Sequence, residues 1–225
     1  MYEFVAGPLA KIAFLIFFLG LIWRFISYVR GLNWQADRVT YTRNVGPGVK
    51  GAARSIVAWL IPFGTHSWRF YPGFTVLVFV FHIGILLTPI FLLGHNLMLQ
   101  AAWGFSFPTL PEALADTLTV AMLIAGLFIL LRRIALRSVR ILTKPYDLLV
   151  LAIAIAPFLT GFLAHMQIGD YQSWLTVHIL CGEIMLVAIP FTKLSHFLLF
   201  FLSRAQLGMD FGVKRGGMKG RSMPW

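Results

Sequence analysis

Apolar residues fall along this chain in long blocks separated by short polar stretches. A helix needs about 20 mostly apolar residues to cross a bilayer core, and five blocks qualify: residues 4–29, 74–98, 116–131, 148–166 and 174–202. The second and fourth carry no Asp, Glu, Lys or Arg. A sixth block, 56–63, is too short to span and is expected to lie in the membrane interface. The pattern predicts an all-α membrane protein, a five-transmembrane-helix bundle, with one membrane domain over residues 1–203. A loop of residues 30–70 and a basic tail of residues 204–225 flank the spans.

Composition agrees with this reading. Hydrophobic residues make up 59% of the 225 and charged residues 12%, against about 25% charged in a soluble domain. So few charges cannot cover a water-facing surface. The formal net charge of +11 raises nucleic acid as a partner, but the placement of the cations argues against it. Arg30, Arg38, Arg43, Lys50, Arg54 and Arg69 precede the second span, Arg132 to Lys144 separate the third from the fourth, and Arg204 to Arg221 follow the fifth. Connections 99–115 and 167–173 hold no Lys or Arg. The positive-inside rule then puts the N-terminus outside and the C-terminus in the cytoplasm. Lys11 is accommodated by snorkelling. Arg24 and Arg30 follow the apolar run after Lys11 and no small-residue cleavage pattern appears, so the first block reads as a retained span.

One cysteine, Cys181, excludes an internal disulfide, a cysteine-ligated iron–sulfur cluster and covalent haem attachment. The six histidines are His66, His82, His95, His165, His178 and His196, and four of them fall inside the second and fifth spans. Ionisable residues within a span are rare and default to function. His178 and His196 are 18 residues apart, five turns of an ideal helix and about 27 Å along its axis. On two antiparallel spans, His82 is expected level with His196 on the cytoplasmic side, and His95 level with His178 on the outer side. Two opposed imidazoles at matched depth suit the axial positions of a haem used for electron transfer. The 13-residue spacing of His82 and His95 turns them about 140° apart on an ideal helix. A kink at Pro89 or Gly94 would restore the facing; alternatively His165 supplies the second outer ligand.

The pattern Phe-His-Ile-Gly-Ile-Leu with a later Gly-His, and the segment 178–196, His-Ile-Leu-Cys-Gly-Glu-Ile-Met-Leu-Val-Ala-Ile-Pro-Phe-Thr-Lys-Leu-Ser-His, resemble the cytochrome b (gamma) subunits of respiratory nitrate reductases. They look closer still to the membrane cytochromes b of the DsrMKJOP, Tmc and high-molecular-weight cytochrome (Hmc) complexes of sulfate reducers, the Hmc type above all. The resemblance implies an electron-transfer subunit of a larger respiratory complex in the inner (cytoplasmic) membrane. It implies two haem b groups, non-covalent and bis-histidine, held by His82 with His196 and by His95 with His178. It also implies a cytoplasmic iron–sulfur (heterodisulfide-reductase-like) partner, and periplasmic cytochrome c and other membrane subunits. The outer donor is a menaquinol or a periplasmic multihaem cytochrome. Residues 96–115 lack the lysine that nitrate reductase relatives place near their outer quinone.

Glu183, Asp170 and His165 are the candidates for outer-side proton or quinone chemistry. Residues 204–225 show little apolar periodicity and several glycines, so the tail is expected to order only against a cytoplasmic partner. The competing reading is a cofactor-free membrane anchor or small transporter subunit, which would be colourless.

Overall fold

The structure is a computed structural model that describes residues 2–32 and 46–214. Its regular elements are helices, with no strand among the described residues. They are α1 Tyr2–Arg30, α2 Gly46–Leu60, α3 His66–Phe70, α4 Pro72–Phe91, α5 Leu93–Trp103, α6 Glu112–Ala135, α7 Arg137–Arg140, α8 Pro145–His165, α9 Tyr171–Phe191 and α10 His196–Lys214. Five of them, α1, α4, α6, α8 and α9, are long and apolar enough to cross a membrane. Large apolar side chains such as Leu15, Phe128 and Leu149 stay exposed on them, as a lipid solvent permits.

Two expected spans end early. The second stops at Phe91, not at 98, and a new helix starts at Leu93. The fifth stops at Phe191, not at 202. Pro190 occupies its last turn, and Thr192 is extended (φ −117°, ψ −174°). The Thr192 hydroxyl accepts the Leu194 N–H at 3.2 Å, and Ser195 donates to the Thr192 carbonyl at 2.9 Å. This is the capping chemistry that starts a helix anew. His178 and His196 therefore do not share five uninterrupted turns.

The chain divides into two compact units, one drawing on Met1–Leu15 and Val76–Ala188, the other on Ile16–Thr75 and Ile189–Trp225. In the first, Phe81, Met122, Ala125 and Phe158 form a buried cluster joining α4, α6 and α8. Glycines permit the approach: a Cβ on Gly126 would lie 2.8 Å from Ile155, and one on Gly84 would meet Met122. Phe14 of α1 meets the edge of Trp103 of α5 at 4.9 Å.

In the second unit, α2 crosses α10 backbone to backbone. A Cβ on Gly51 would run into the Gly208 carbonyl, one on Gly208 into the Gly51 carbonyl, and one on Gly212 into the Pro47 carbonyl. The expected tail therefore begins later than residue 204. Residues 204–214 belong to α10, and the glycines that suggested disorder are what allow the helix to dock. The rest of that tail, 215–225, lies outside the described residues. The short apolar block 56–63 is the end of α2 and the turn after it. There Trp59 meets Trp68 edge-on at 5.4 Å, and the Arg204 guanidinium lies 4.9 Å from the Trp59 ring.

Overpacking a tight contact costs about 1–3 kcal/mol, and here the opposing atoms are backbone. Gly208→Leu should separate α2 from α10 and let trypsin cleave the α2 backbone at Lys50 and Arg54, whose side chains are already exposed, in the detergent-solubilised protein. Gly7→Leu, where a Cβ meets nothing within 4 Å, should leave the digestion pattern unchanged.

Candidate functional site

The break after α4 builds the site. Leu92 leaves helical geometry (φ −71°, ψ 134°) between α4 and α5, which strands the last carbonyls of α4 without their helical donors. In an apolar medium such groups must be paired within the protein. Each of them is. The Pro89 carbonyl accepts from His95 Nδ1 at 2.9 Å, the Ile90 carbonyl from the Asn96 amide at 2.9 Å, and the Phe91 carbonyl from the Leu110 N–H at 2.9 Å. The Asn96 amide also donates to the Leu92 carbonyl at 3.0 Å, and its Oδ1 accepts the Phe107 N–H at 2.7 Å. Asn96 is 2% exposed. It ties the break to the 104–111 connection that folds back over it.

His178, on α9, is fixed from a different side. Its Nδ1 lies 2.8 Å from the Pro157 carbonyl of α8. Gly161, one turn further along α8, brings backbone against the ring: a Cβ there would lie 2.8 Å from His178 Cε1 and Nδ1. With both rings so held, the imidazoles of His95 and His178 have centroids 5.8 Å apart and planes 6° from parallel.

Both Nδ1 atoms face carbonyl oxygens, which only accept. Nδ1 therefore carries a proton, and in the neutral form of each ring the lone pair is on Nε2. A metal–imidazole bond is about 2 Å, and the ring centre lies about 1 Å behind the nitrogen, so two imidazoles on one metal have centres about 6 Å apart. The observed separation is close to that width, and an Nδ1 donating to a backbone carbonyl is the bond that fixes the tautomer and ring orientation of a ligating histidine. No cluster of three or more His, Cys, Asp or Glu suited to a bare metal ion occurs among the described residues. Two histidines could serve a metal whose other ligands come from elsewhere, as the porphyrin nitrogens of a haem would supply them.

The other histidines lie as follows. His82 is half-buried on α4, its Nδ1 2.7 Å from the Val78 carbonyl. His196, in the second unit, opens α10 with Nδ1 2.9 Å from the Lys193 carbonyl. Both show the same pattern of an Nδ1 donor to backbone. His165 differs, because its Nε2 faces carboxylates, 3.3 Å from Asp116 and 3.9 Å from Glu112. His66 is exposed at the start of α3, with its ring centre 6.2 Å from that of Phe70.

Glu183 is 7% exposed on α9, and neither carboxyl oxygen has a hydrogen-bond partner among the described residues. Asp170 is exposed and accepts from the Ser173 hydroxyl and, at 2.9 Å, the Ser173 N–H. These bonds, the side-chain one first, hold its carboxyl below the ordinary carboxylate range. It caps the start of α9 as an anion.

Asn96 and Gly161 escaped the sequence reading. Asn96 had a signal, as the one asparagine within an expected span. Gly161 had none beyond its place among apolar residues.

No family profile and no solved structure matches the chain. A protein of Nitratidesulfovibrio vulgaris (strain Hildenborough), whose description reads only "Protein", is 54% identical over 226 residues that cover 100% of both chains.

Removing the Asn96 side chain would leave the Ile90 carbonyl and the Phe107 N–H short of partners, each lost pairing costing about 1–3 kcal/mol, while the Leu92 carbonyl would keep the Asn96 backbone N–H. Asn96→Ala should therefore lower the thermal unfolding midpoint of the detergent-solubilised protein by several degrees, whereas His66→Ala should leave it in place.

Proposed function

We propose that this chain, which belongs to one family with that full-length relative, is a dihaem b-type cytochrome subunit. It would relay electrons across the membrane between an outer donor, a periplasmic multihaem cytochrome or menaquinol, and a cytoplasmic iron–sulfur subunit. The observation that carries the reading is the His95–His178 pair, with parallel rings 5.8 Å apart. His95 and His178 would hold the outer haem. His82 and His196 would hold the inner one, an assignment that rests on their order along the chain and their shared Nδ1-to-carbonyl bonding.

When bound, a bis-histidine haem supplies a one-electron couple with no open position for oxygen. The chain's own residues fix its environment. The Pro89 and Pro157 carbonyls set the tautomer and raise the donor strength of the two outer imidazoles. The apolar cluster around Phe81, Met122 and Phe158 keeps water from the interior of that unit, which also tunes a bound redox centre. Glu183, buried and without a partner among the described residues, is the group placed to hold a proton if the outer donor is a quinol. The positive-inside charge pattern orients the chain with its C-terminus in the cytoplasm, facing the iron–sulfur partner.

The test is haem content. The purified full-length chain should contain about two haem b per chain by pyridine haemochromogen assay, as two axial pairs require. Both should be low-spin, and both should survive His165→Ala. A colourless protein would instead establish a cofactor-free anchor or transporter subunit.

A further inference from the structure

Arg24 lies within the first apolar helix, six residues before its end at Arg30. A cation at that depth is costly unless something compensates it. Its Nε is buried without a hydrogen-bond partner among the described residues, and no carboxylate among them pairs with its guanidinium. The next turn of α1 adds Ser27 and Tyr28 on the same face. Together with Leu199 of α10, these residues line a cavity of about 230 Å³. The Tyr28 hydroxyl already donates to Gln206 Oε1 at 2.6 Å, so it offers the cavity lone pairs and not a proton. The donors left are the guanidinium and the Ser27 hydroxyl.

We infer that Arg24 and Ser27 form a binding site for an anionic oxygen group, a carboxylate or a phosphate. The planar guanidinium presents its N–H donors in a fork that matches such a group, and its charge makes those hydrogen bonds the strong kind. The cavity is smaller than the 300–1,000 Å³ typical of a site for a whole small molecule, so it takes a head group while the body of the ligand extends beyond it. That describes an amphiphile. Two sources carry this chemistry. One is a propionate of a haem held by His196, because Leu199 is one helical turn past that residue; this source rests on the reading proposed above. The other is the phosphate of an anionic lipid, whose chains would follow the exposed Phe18, Ile22, Phe25 and Ile26 of α1.

The test compares the full-length protein with Arg24→Gln, Ser27→Ala and Arg24→Lys. Redox titration reads the haem source: loss of a cation beside a propionate should lower the midpoint potential of one haem and leave the other in place, with Arg24→Lys partly restoring it. Native mass spectrometry with phosphatidylglycerol, against phosphatidylcholine as control, reads the lipid source. Arg24→Gln should weaken retention of phosphatidylglycerol about tenfold or more, as loss of a charge-assisted hydrogen bond implies. A change in either readout supports the site and identifies its occupant. Unchanged potentials together with unchanged lipid retention would overturn it. If the chain holds no haem, the dihaem reading fails, and the lipid measurement alone decides this site.

Discussion

A helix that stops inside an apolar medium must find partners for its last carbonyl groups, because no water is there to take them. In this protein that requirement is met at the end of α4, and most of the candidate site follows from it. Pro89, Ile90 and Phe91 give their carbonyls to His95, Asn96 and the Leu110 N–H in turn. The donor that satisfies the first of them is the imidazole whose other nitrogen is then left with a lone pair. Closing the helix end and fixing the His95 ring are one event.

The same economy holds on the facing helices. The Pro157 carbonyl accepts from His178 Nδ1, and Gly161 removes the side chain that would push that ring away. Two histidines on different helices are thus oriented by backbone groups, which do not change rotamer. Rings fixed in this way would need little further side-chain ordering to take a metal, the condition under which a ligand pair is preorganised.

How much of this was legible in the sequence depends on what lipid selects for. The five apolar helices were plain, since a membrane imposes length and composition directly. The helix ends were not. Leu92 and Thr192 are ordinary residues, and nothing in their identity announces extended geometry. Pro89 and Gly94 hinted at irregularity in the second span without locating it, and nothing in the pattern flagged the break in the fifth, so an 18-residue spacing that suggested one straight face spans a helix, a turn and the start of another helix. The glycines at 208 and 212 misled for a related reason. Glycine content reads as chain entropy when seen alone, but facing Gly51 and Pro47 it permits backbone contact. The histidine types and the pairing of His95 with His178 could be anticipated, while the supporting Asn96 and Gly161 depended on a fold the pattern did not contain.

Electron paramagnetic resonance of the oxidised, purified full-length protein tests the central claim most directly, because the spectrum of a low-spin haem reports the relative orientation of its two imidazoles. Ring planes within 6° of parallel predict that the outer centre gives a rhombic low-spin signal. His95→Ala and His178→Ala should each abolish that same signal, and the double variant should lose nothing more, since two ligands of one centre act as a unit. A rhombic signal that survives either substitution, or the loss of different signals in the two variants, would contradict the account.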